Sequence, residues 1–304
     1  MKSALQSAPT VSVIIPAHNP GETLSTAIDS VRSQTSSAWE LVVVDDGGNE
    51  DLDWVSKLDT RIRLLRQPNQ GVSTARNNGV ASTTGRWIAF LDQDDVWATG
   101  KLEAQMLALE RERASFSYTA FTWVSEAGRV LGWYDGPVSY ESLLSDQHIC
   151  LSSLMVSRHA YAAVGGQDPL LDVMQDYDLF LRLLANGYKG SLVSEALVDY
   201  HLHESNASRN YALAQAERTH VLNAHARRAK RRADGAAMEA CLQGLRRTNE
   251  LYASQAYDQF RCLLGQNPLQ AGGHLRRAFG WAPRLTMQSV VLGIRTRVRT
   301  RGSL

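Results

Sequence analysis

Apolar and polar positions along the first two hundred residues alternate between two rhythms. Val11-Ser12-Val13-Ile14-Ile15 is a compact β-branched run closed by Pro16, which predicts a buried strand. Across 22–34 the apolar residues fall at Leu24, Ala27, Ile28 and Val31, the spacing of one helical face. Residues 41–44 predict a second strand that ends in Asp45-Asp46-Gly47-Gly48, 53–58 a short helix, and 62–65 a third strand. Residues 74–81 read as a helix that opens after Gly71 with Ser73 or Thr74 as its cap. Residues 87–91 are a fourth strand, followed by a helix over 101–113 with Leu102, Met106 and Leu109 on one stripe. From 116 to 130 the residues are aromatic and β-branched, so strands interrupt the simple alternation there. A short strand at 152–156, a turn at 164–168 and a helix over 176–185 follow. Beyond residue 206 the pattern is mostly helical, with Met238, Leu242, Leu245, Tyr252 and Leu263 near a three-and-four spacing.

Strands alternating with helices predict βαβ units and an α/β fold with a mainly parallel sheet flanked by helices. Open sheets of this kind bind ligands at the carboxyl ends of their strands. Those ends carry Pro16-Ala17-His18-Asn19, then Asp45-Asp46, then Asp92-Gln93-Asp94-Asp95, so all three are expected to converge on one crevice. Three carboxylates in four positions repel one another, and the cluster is costly unless a cation neutralises it. Hard divalent cations such as Mg²⁺ or Mn²⁺ take oxygen ligands and commonly share a site with a diphosphate. A solvated acidic turn would be the default for this run in isolation. Two further acidic clusters at element ends shift the balance toward a site.

Composition changes the picture in one respect. The 304 residues carry a formal net charge of +1, with 44% hydrophobic and 21% charged residues, the profile of an ordinary globular protein. The balance conceals a division: residues 1–204 hold 15 Lys/Arg against 26 Asp/Glu, a net of −11, while 205–304 hold 17 against 5, a net of +12. Two tasks are implied, and the basic half suits an anionic surface. Cys150, Cys241 and Cys262 are odd in number and lack metal-ligand spacing, so buried thiols in a reducing compartment are expected. Residues 1–9 have no apolar core of the kind a signal peptide needs, and no apolar stretch is long enough to span a bilayer. A cytoplasmic protein that can visit a membrane face is the expectation.

Five segments fall in a telling order: 11–19 (VSVIIPAHN), 41–47 (LVVVDDG), 70–79 (QGVSTARNNG), 85–97 (GRWIAFLDQDDVW) and 175–183 (QDYDLFLRL). Together they resemble glycosyltransferase family 2, inverting nucleotide-sugar enzymes of the GT-A fold. The resemblance covers roughly 10–204, leaving 1–9 as a tail and 205–304 as a basic, mainly helical region. It implies a hexosyltransferase that moves a sugar from a nucleotide-sugar, UDP-linked by preference, to a hydroxyl of a glycan or lipid-linked acceptor in bacterial surface-polysaccharide assembly, with Mn²⁺ or Mg²⁺ as cofactor. It implies donor contacts at Pro16, Ala17, Asn19, Asp46, Arg76, Asn77 and Asp92, and metal contacts at Asp94, Asp95 and His203. Asp176 would be the general base, with its pKa raised by a partly closed cleft. Ser152, Ser153, Asp168 and Gln175 fall where the family forms its acceptor pocket. Gly48 replaces the usual Ser, Gln175 the usual Glu before the base, and His201 the usual Arg. Asp45, Trp97 and Asp178 read as structural, and Gly71 as conformational.

Two rival readings share these features: a sugar-phosphate nucleotidyltransferase, and a nucleotide-sugar or glycan-binding protein without turnover. The runs Arg227-Arg228-Ala229-Lys230-Arg231-Arg232 and Arg295 to Arg301, with Phe279, Trp281, Val290, Val291, Leu292 and Ile294, suit an amphipathic surface on anionic lipid. Nucleic acid suits the charge but no readout module is present. Oligomeric state is not legible.

Overall fold

The structure, a computed structural model, describes residues 9–125, 127–128, 130–134, 136–145, 149–203, 210–264 and 266–290. The chain divides into two compact units, one of residues 1–143 and 147–206 and the other of 144–146 and 207–304. The expected features at Val291, Leu292, Ile294 and the terminal arginines lie outside the described residues.

The first unit is a mixed α/β layer built on one curled sheet. Its strands are β1 (Val11–Ala17), β2 (Trp39–Asp46), β3 (Ile62–Gln67), β4 (Trp87–Phe90), β5 (Val96–Trp97), β6 (Phe116–Ser125), β7 (Val130–Tyr134), β8 (Met155–Ser157) and β9 (Gly190–Leu202). Their order is β3-β2-β1-β4-β8-β6-β9-β5, with β7 on β6. The β3-β2-β1-β4 half is parallel, β8 runs antiparallel between β4 and β6, and β6 pairs parallel with β9. Helices α1 (Thr23–Arg32), α2 (Val72–Ala81), α3 (Lys101–Glu112), α4 (Tyr140–Ser145), α5 (Arg158–Ala163) and α6 (Gln175–Ala185) connect them.

The apolar periods explain the packing. Leu24, Ala27, Ile28 and Val31 are all fully buried, so the face read from α1 is the face that meets the sheet. With Val11, Val13, Ile15, Leu41 and Val43 they form the main core. The strand expected to close at Pro16 continues through it, pairing Pro16 with Val44 and Ala17 with Asp45. The proline is tolerated because of its direction. Ile14 already accepts from Leu91 N–H on the β4 side, and residue 16 points the same way, where β4 has ended. No ladder bond is lost.

Other departures have local causes. The expected strand at 152–156 is a 3-10 turn over Leu151–Ser153 followed by β8. The predicted helix at 53–58 is a single 3-10 turn at Val55–Lys57. Helix α2 is capped by neither Ser73 nor Thr74. Gly71, at φ 85°, is its first flanking residue, and the Ser73 hydroxyl donates to Leu171 O at 3.1 Å instead. Strand β9 was not predicted. Its sequence lacks a clean two-residue alternation, because two register shifts against β6 rotate the exposed face along its length.

The second unit holds α7 (Tyr211–Arg232), α8 (Gly235–Leu263) and α9 (Pro268–Trp281). Each begins at a side chain that accepts a backbone N–H: Asn210 from Leu213, Asp234 from Ala237 and Asn267 from Gln270. The stripe expected on α8 holds at Tyr252 but is displaced by one position before it. Ala237, Cys241, Gly244, Thr248, Tyr252 and Ala256 are buried, whereas Leu242 is 46% exposed. Small side chains let α8 approach α7 closely, as a methyl on Gly244 would lie 3.2 Å from a Leu222 methyl carbon. Two of the three thiols are buried as expected; Cys262 is exposed. Among the described residues no helix is long and apolar enough to cross a membrane.

One close approach tests the sheet. A Cβ on Gly85 would stand 2.6 Å from Ser12 Oγ and 2.7 Å from Ser12 N. That hydroxyl already accepts from Gly85 N–H and donates to Glu40 Oε1, both at 2.9 Å, so it cannot yield freely. Gly85→Ala is expected to destabilise the fold by about 2 kcal/mol in urea titration. A change under about 0.5 kcal/mol would mean the β1 edge is looser than described.

Candidate active site

The acids after β4 do not share one environment. Asp92 donates its backbone N–H to Ser152 Oγ at 3.1 Å, and its Oδ1 receives Arg76 Nη2 in an ion pair. Asp94 Oδ2 lies 2.6 Å from His203 Nε2. Asp95 is 1% exposed; its Oδ2 accepts from the Ser152 hydroxyl at 2.5 Å and its Oδ1 from His201 N–H at 3.1 Å. The side chains of Asp92 and Asp94 remain 29% and 21% exposed. Short β5 is antiparallel to β9, and this pairing brings His201 and His203 to the loop. Burial pushes the Asp94 carboxyl up, and the charge of Asp92 adds to it. Burial pushes Asp95 further, with Asp92 and Asp94 reinforcing the shift.

These contacts redistribute the expected roles. Asp95 was expected beside Asp94 as a metal contact, but both its oxygens are satisfied within the protein and it has almost no surface. Its place is that of a loop anchor. Ser152 and Ser153, expected to face an acceptor, are 0% and 2% exposed. Ser152 bonds the acids from below, and the Ser153 hydroxyl donates to Cys150 O at 2.6 Å. Deeper still, Trp97 Nε1 donates to Ser152 O at 2.8 Å and the Lys101 ammonium sits 4.0 Å from the Trp97 ring centroid. Lys101 is wholly buried, which pulls its pKa down to about 7.

The three strand ends do meet. His18 N–H donates to Gln93 Oε1 at 2.9 Å, and His18 Nδ1 stands 3.1 Å from Asp46 O. Ends of β1, β2 and β4 are thereby joined around one mouth. Asp46 is buried, and its Oδ1 accepts from Gln67 Nε2 and Gln70 N–H, each at 2.8 Å. The β2–β3 register sets Gln67 opposite Asp46. Asp45 accepts from Gly48 N–H at 3.3 Å and pairs with Arg66 at 3.5 Å, holding the turn. Pro16 and Ala17 are buried in β1, whereas Asn19 is exposed, adopts φ 46° and accepts from Asn49 N–H at 2.7 Å. A Cβ on Gly48 would be 2.9 Å from Asn19 N, so the absence of the usual serine lets these two turns touch.

Arg76 is 3% exposed, so it is not a solvated helix arginine. Besides Asp92 it reaches Gln167 Oε1 from Nη1 at 3.3 Å. Asn77 is fully engaged by the loop before α6. Its Oδ1 accepts from Tyr161 OH at 2.6 Å and Gln167 N–H at 3.0 Å, and its Nδ2 donates to Gln167 O at 2.8 Å. Asp168 folds back to accept from Leu170 N–H at 2.9 Å. Gln175 is 9% exposed and its Oε1 has no hydrogen-bond partner among the described residues. Asp176 opens α6 and accepts from Tyr177 N–H at 2.6 Å. Burial pushes its carboxyl up to about 6; Asp92 adds to the rise, while Tyr177 N–H and the Arg76 charge oppose it. Asp178 pairs with Arg182 one turn on, a structural contact.

Sequence reasoning placed His18 and Gln93 at the strand ends without giving either a role, and it gave none to Gln67, Tyr161 or Gln167. Amides carry no motif of their own, and only the β2–β3 register and the Gly165–Gly166 turn bring two of them in. Among the described residues no three of His, Cys, Asp and Glu are grouped as a ready-made metal cage. Asp94 with His203 supplies two ligand-type side chains at the mouth, and Asp92 adds charge beside them. That set fits a hard divalent cation that takes its remaining ligands from a substrate diphosphate and water. The arrangement can therefore place a diphosphate beside acids of one loop and a proton-accepting carboxylate, Asp176, within the field of Arg76 and Asp92.

Comparison with known proteins identifies the family and the fold. The family model described as Glycosyl transferase family 2 matches residues 12–158. The Escherichia coli UDP-Glc:alpha-D-GlcNAc-diphosphoundecaprenol beta-1,3-glucosyltransferase WfaP is 30% identical over 205 residues, 66% of this chain and 80% of that protein. A Mycobacterium bovis PGL/p-HBAD biosynthesis glycosyltransferase is 31% identical over 210 residues, covering 67% of this chain and 77% of its own length. Among solved structures, that of S. aureus TarS superposes with a TM-score of 0.54 at 16% identity, over 70% of this chain and 42% of that one, a likeness of fold.

The raised carboxyl has a stability consequence. A folded pKa of about 6 against 3.8 penalises the charged form, so its cost is absent at low pH and grows as pH rises toward 6. Asp176→Asn is therefore expected to stabilise the protein at pH 8 by about 1–2 kcal/mol, after allowance for partial exposure, and to lose that advantage toward pH 4. Urea titrations at the two pH values read the difference; equal stability at pH 8 would contradict the assigned environment.

Proposed function

The chain belongs to glycosyl transferase family 2 and is a glycosyltransferase, and from that premise we propose a metal-dependent, inverting transfer from a UDP-sugar with Asp176 as the base. The observation that carries the reading is the shared field at the cleft. The partly exposed acids Asp92 and Asp94 stand at one strand end, and the Asp176 carboxyl, raised to about 6, feels both Asp92 and the Arg76 charge.

In this reading Asp46 accepts from the base through the oxygen its protein partners leave open, with Asn19 and the buried Pro16-Ala17 backbone beside it. Arg76 orients Asp92 toward the ribose rather than reaching the diphosphate itself. Asn77 positions the loop that carries Gln167. Asp94 and His203 would hold Mn²⁺ or Mg²⁺, which when bound neutralises charge on the departing diphosphate. The acceptor hydroxyl gives its proton to an Asp176 oxygen as its own oxygen bonds the anomeric carbon. The bond from that carbon to the diphosphate oxygen breaks, and configuration inverts. Asp168 and Gln175 border the acceptor side, and Gln175 offers a neutral amide where the family offers a charge.

A lipid-linked acceptor fits relatives named for diphosphoundecaprenol substrates, and places the work at the inner face of a bacterial membrane. Exposed Arg227, Lys230, Arg231 and Arg232 on α7 would meet its anionic headgroups. Replacing Arg227, Lys230 and Arg231 by Glu should lower co-sedimentation with phosphatidylglycerol vesicles at least tenfold. Unchanged sedimentation would remove the membrane from the account.

Asp176→Asn should reduce transfer about 10²–10⁴-fold while UDP affinity stays within about twofold. In the wild type, transfer should climb through pH 6 to a plateau as the base ionises. Full transfer by the variant would overturn the assignment.

A further inference from the structure

A shallow cleft of about 560 Å³ opens at the start of β4, lined by Trp87, Arg86, Ser115, Arg158, His159 and Ala162 among others. The catalytic acids follow the other end of the same strand. Five residues at about 3.3 Å each put Asp92 about 16 Å from Trp87 along the chain, so the two places are separate. Among the described residues no carboxylate lines this cleft, although residues 1–204 carry 26 Asp/Glu against 15 Lys/Arg. The local charge is thus opposite to that of the unit around it.

The two guanidinium groups differ in what they can do. Arg158 is part of the wall: Nε donates to Gly85 O and Nη1 to Val80 O at 2.8 Å, and Nη2 to Thr83 Oγ1 at 2.9 Å. Arg86 is exposed, and among the described residues its side chain has no hydrogen bond or ion pair; its guanidinium carbon lies 5.4 Å from the Trp87 ring centroid. The exposed His159 ring likewise has no hydrogen-bond partner among the described residues. Nearby carboxylates are already engaged: Glu40 accepts from Thr84 N–H at 2.7 Å and Glu112 pairs with Arg111 at 3.2 Å.

A half-buried indole edged by an unpaired guanidinium and an imidazole suits a ring with one apolar face and an anionic substituent. Pyranose rings present such faces, and the enzyme's family works on sugars. We propose that this cleft is a second carbohydrate site, remote from the transfer centre, that holds a carboxylate- or phosphate-bearing sugar unit of a glycan. The anion sits on Arg86 and His159, and the ring lies against Trp87. A glycan held there would stay associated with the enzyme while its growing end is exchanged.

Calorimetric titration of the full chain tests this with four probes: trigalacturonate, glucose 6-phosphate, maltotriose and UMP. Trigalacturonate or glucose 6-phosphate should bind at least tenfold more tightly than maltotriose, and the stronger of the two identifies the anion. The double variant R86A/H159A alters only exposed side chains outside the transfer centre. It should lose about tenfold of that binding while UDP binding at the strand ends is unchanged. The proposal is overturned if the double variant binds the anionic sugars like the wild type. It is equally overturned if maltotriose binds as well as they do, if neither anionic sugar binds, or if UMP displaces them.

Discussion

Three carboxylates at the end of one strand set the terms for the rest of the first unit. Asp92, Asp94 and Asp95 would expel one another from a common loop unless each had its own counterpart. The fold supplies three different ones: the buried guanidinium of Arg76 for Asp92, His203 for Asp94, and the Ser152 hydroxyl with His201 N–H for Asp95. These partners come from α2, from the end of β9 and from the turn before β8. The loop therefore cannot form its described geometry until distant parts of the chain are in place. Burial pushes the carboxyls of both Asp94 and Asp95 upward, and residual repulsion from the neighbouring acids adds to it. A divalent cation with its diphosphate is the ligand that this residual charge invites.

The same constraint explains the division of labour. Charge balance is concentrated on the loop, while Asp176 stands apart on α6, where burial raises its carboxyl to about 6. Arg76 acts on both sides, ion-paired to Asp92 and lowering the affinity of Asp176. The Asn77 and Tyr161 contacts to Gln167 hold the connection between them. The acidic loop and the proposed base thus lie on separate elements tuned by one buried cation. In the second unit the helices begin at three side-chain caps and pack through small residues, with Glu217, Arg218 and His225 also buried.

Much of this was legible in the sequence. The two-rhythm pattern gave the parallel half of the sheet and the side of α1 that is buried, because residues such as Leu24 and Ile28 have only one place to go. The convergence of His18-Asn19, Asp46 and Asp92 followed from strand direction alone. The separation of Asp95 from Asp94 was not legible, since identical side chains differ only in the partners that β9 and Ser152 deliver. Strand β9 itself hid behind two register shifts. Gln67 and Gln167 carry no chemical signature, and their importance arises from register and a glycine turn. Helix α8 misled for a related reason: its leucines suggested a stripe, but close approach to α7 favours the alanines and Gly244 beside them.

The central claim is that the charge left on this loop is a site for a cation shared with a nucleotide diphosphate. Calorimetric titration of UDP into the full chain, with Mn²⁺ and then with EDTA, tests it most directly. The account predicts binding with Mn²⁺, at least tenfold weaker binding in EDTA, and a comparable loss with Mn²⁺ when Asp94 is replaced by Asn. UDP binding of equal strength in EDTA and in Asp94→Asn would contradict it.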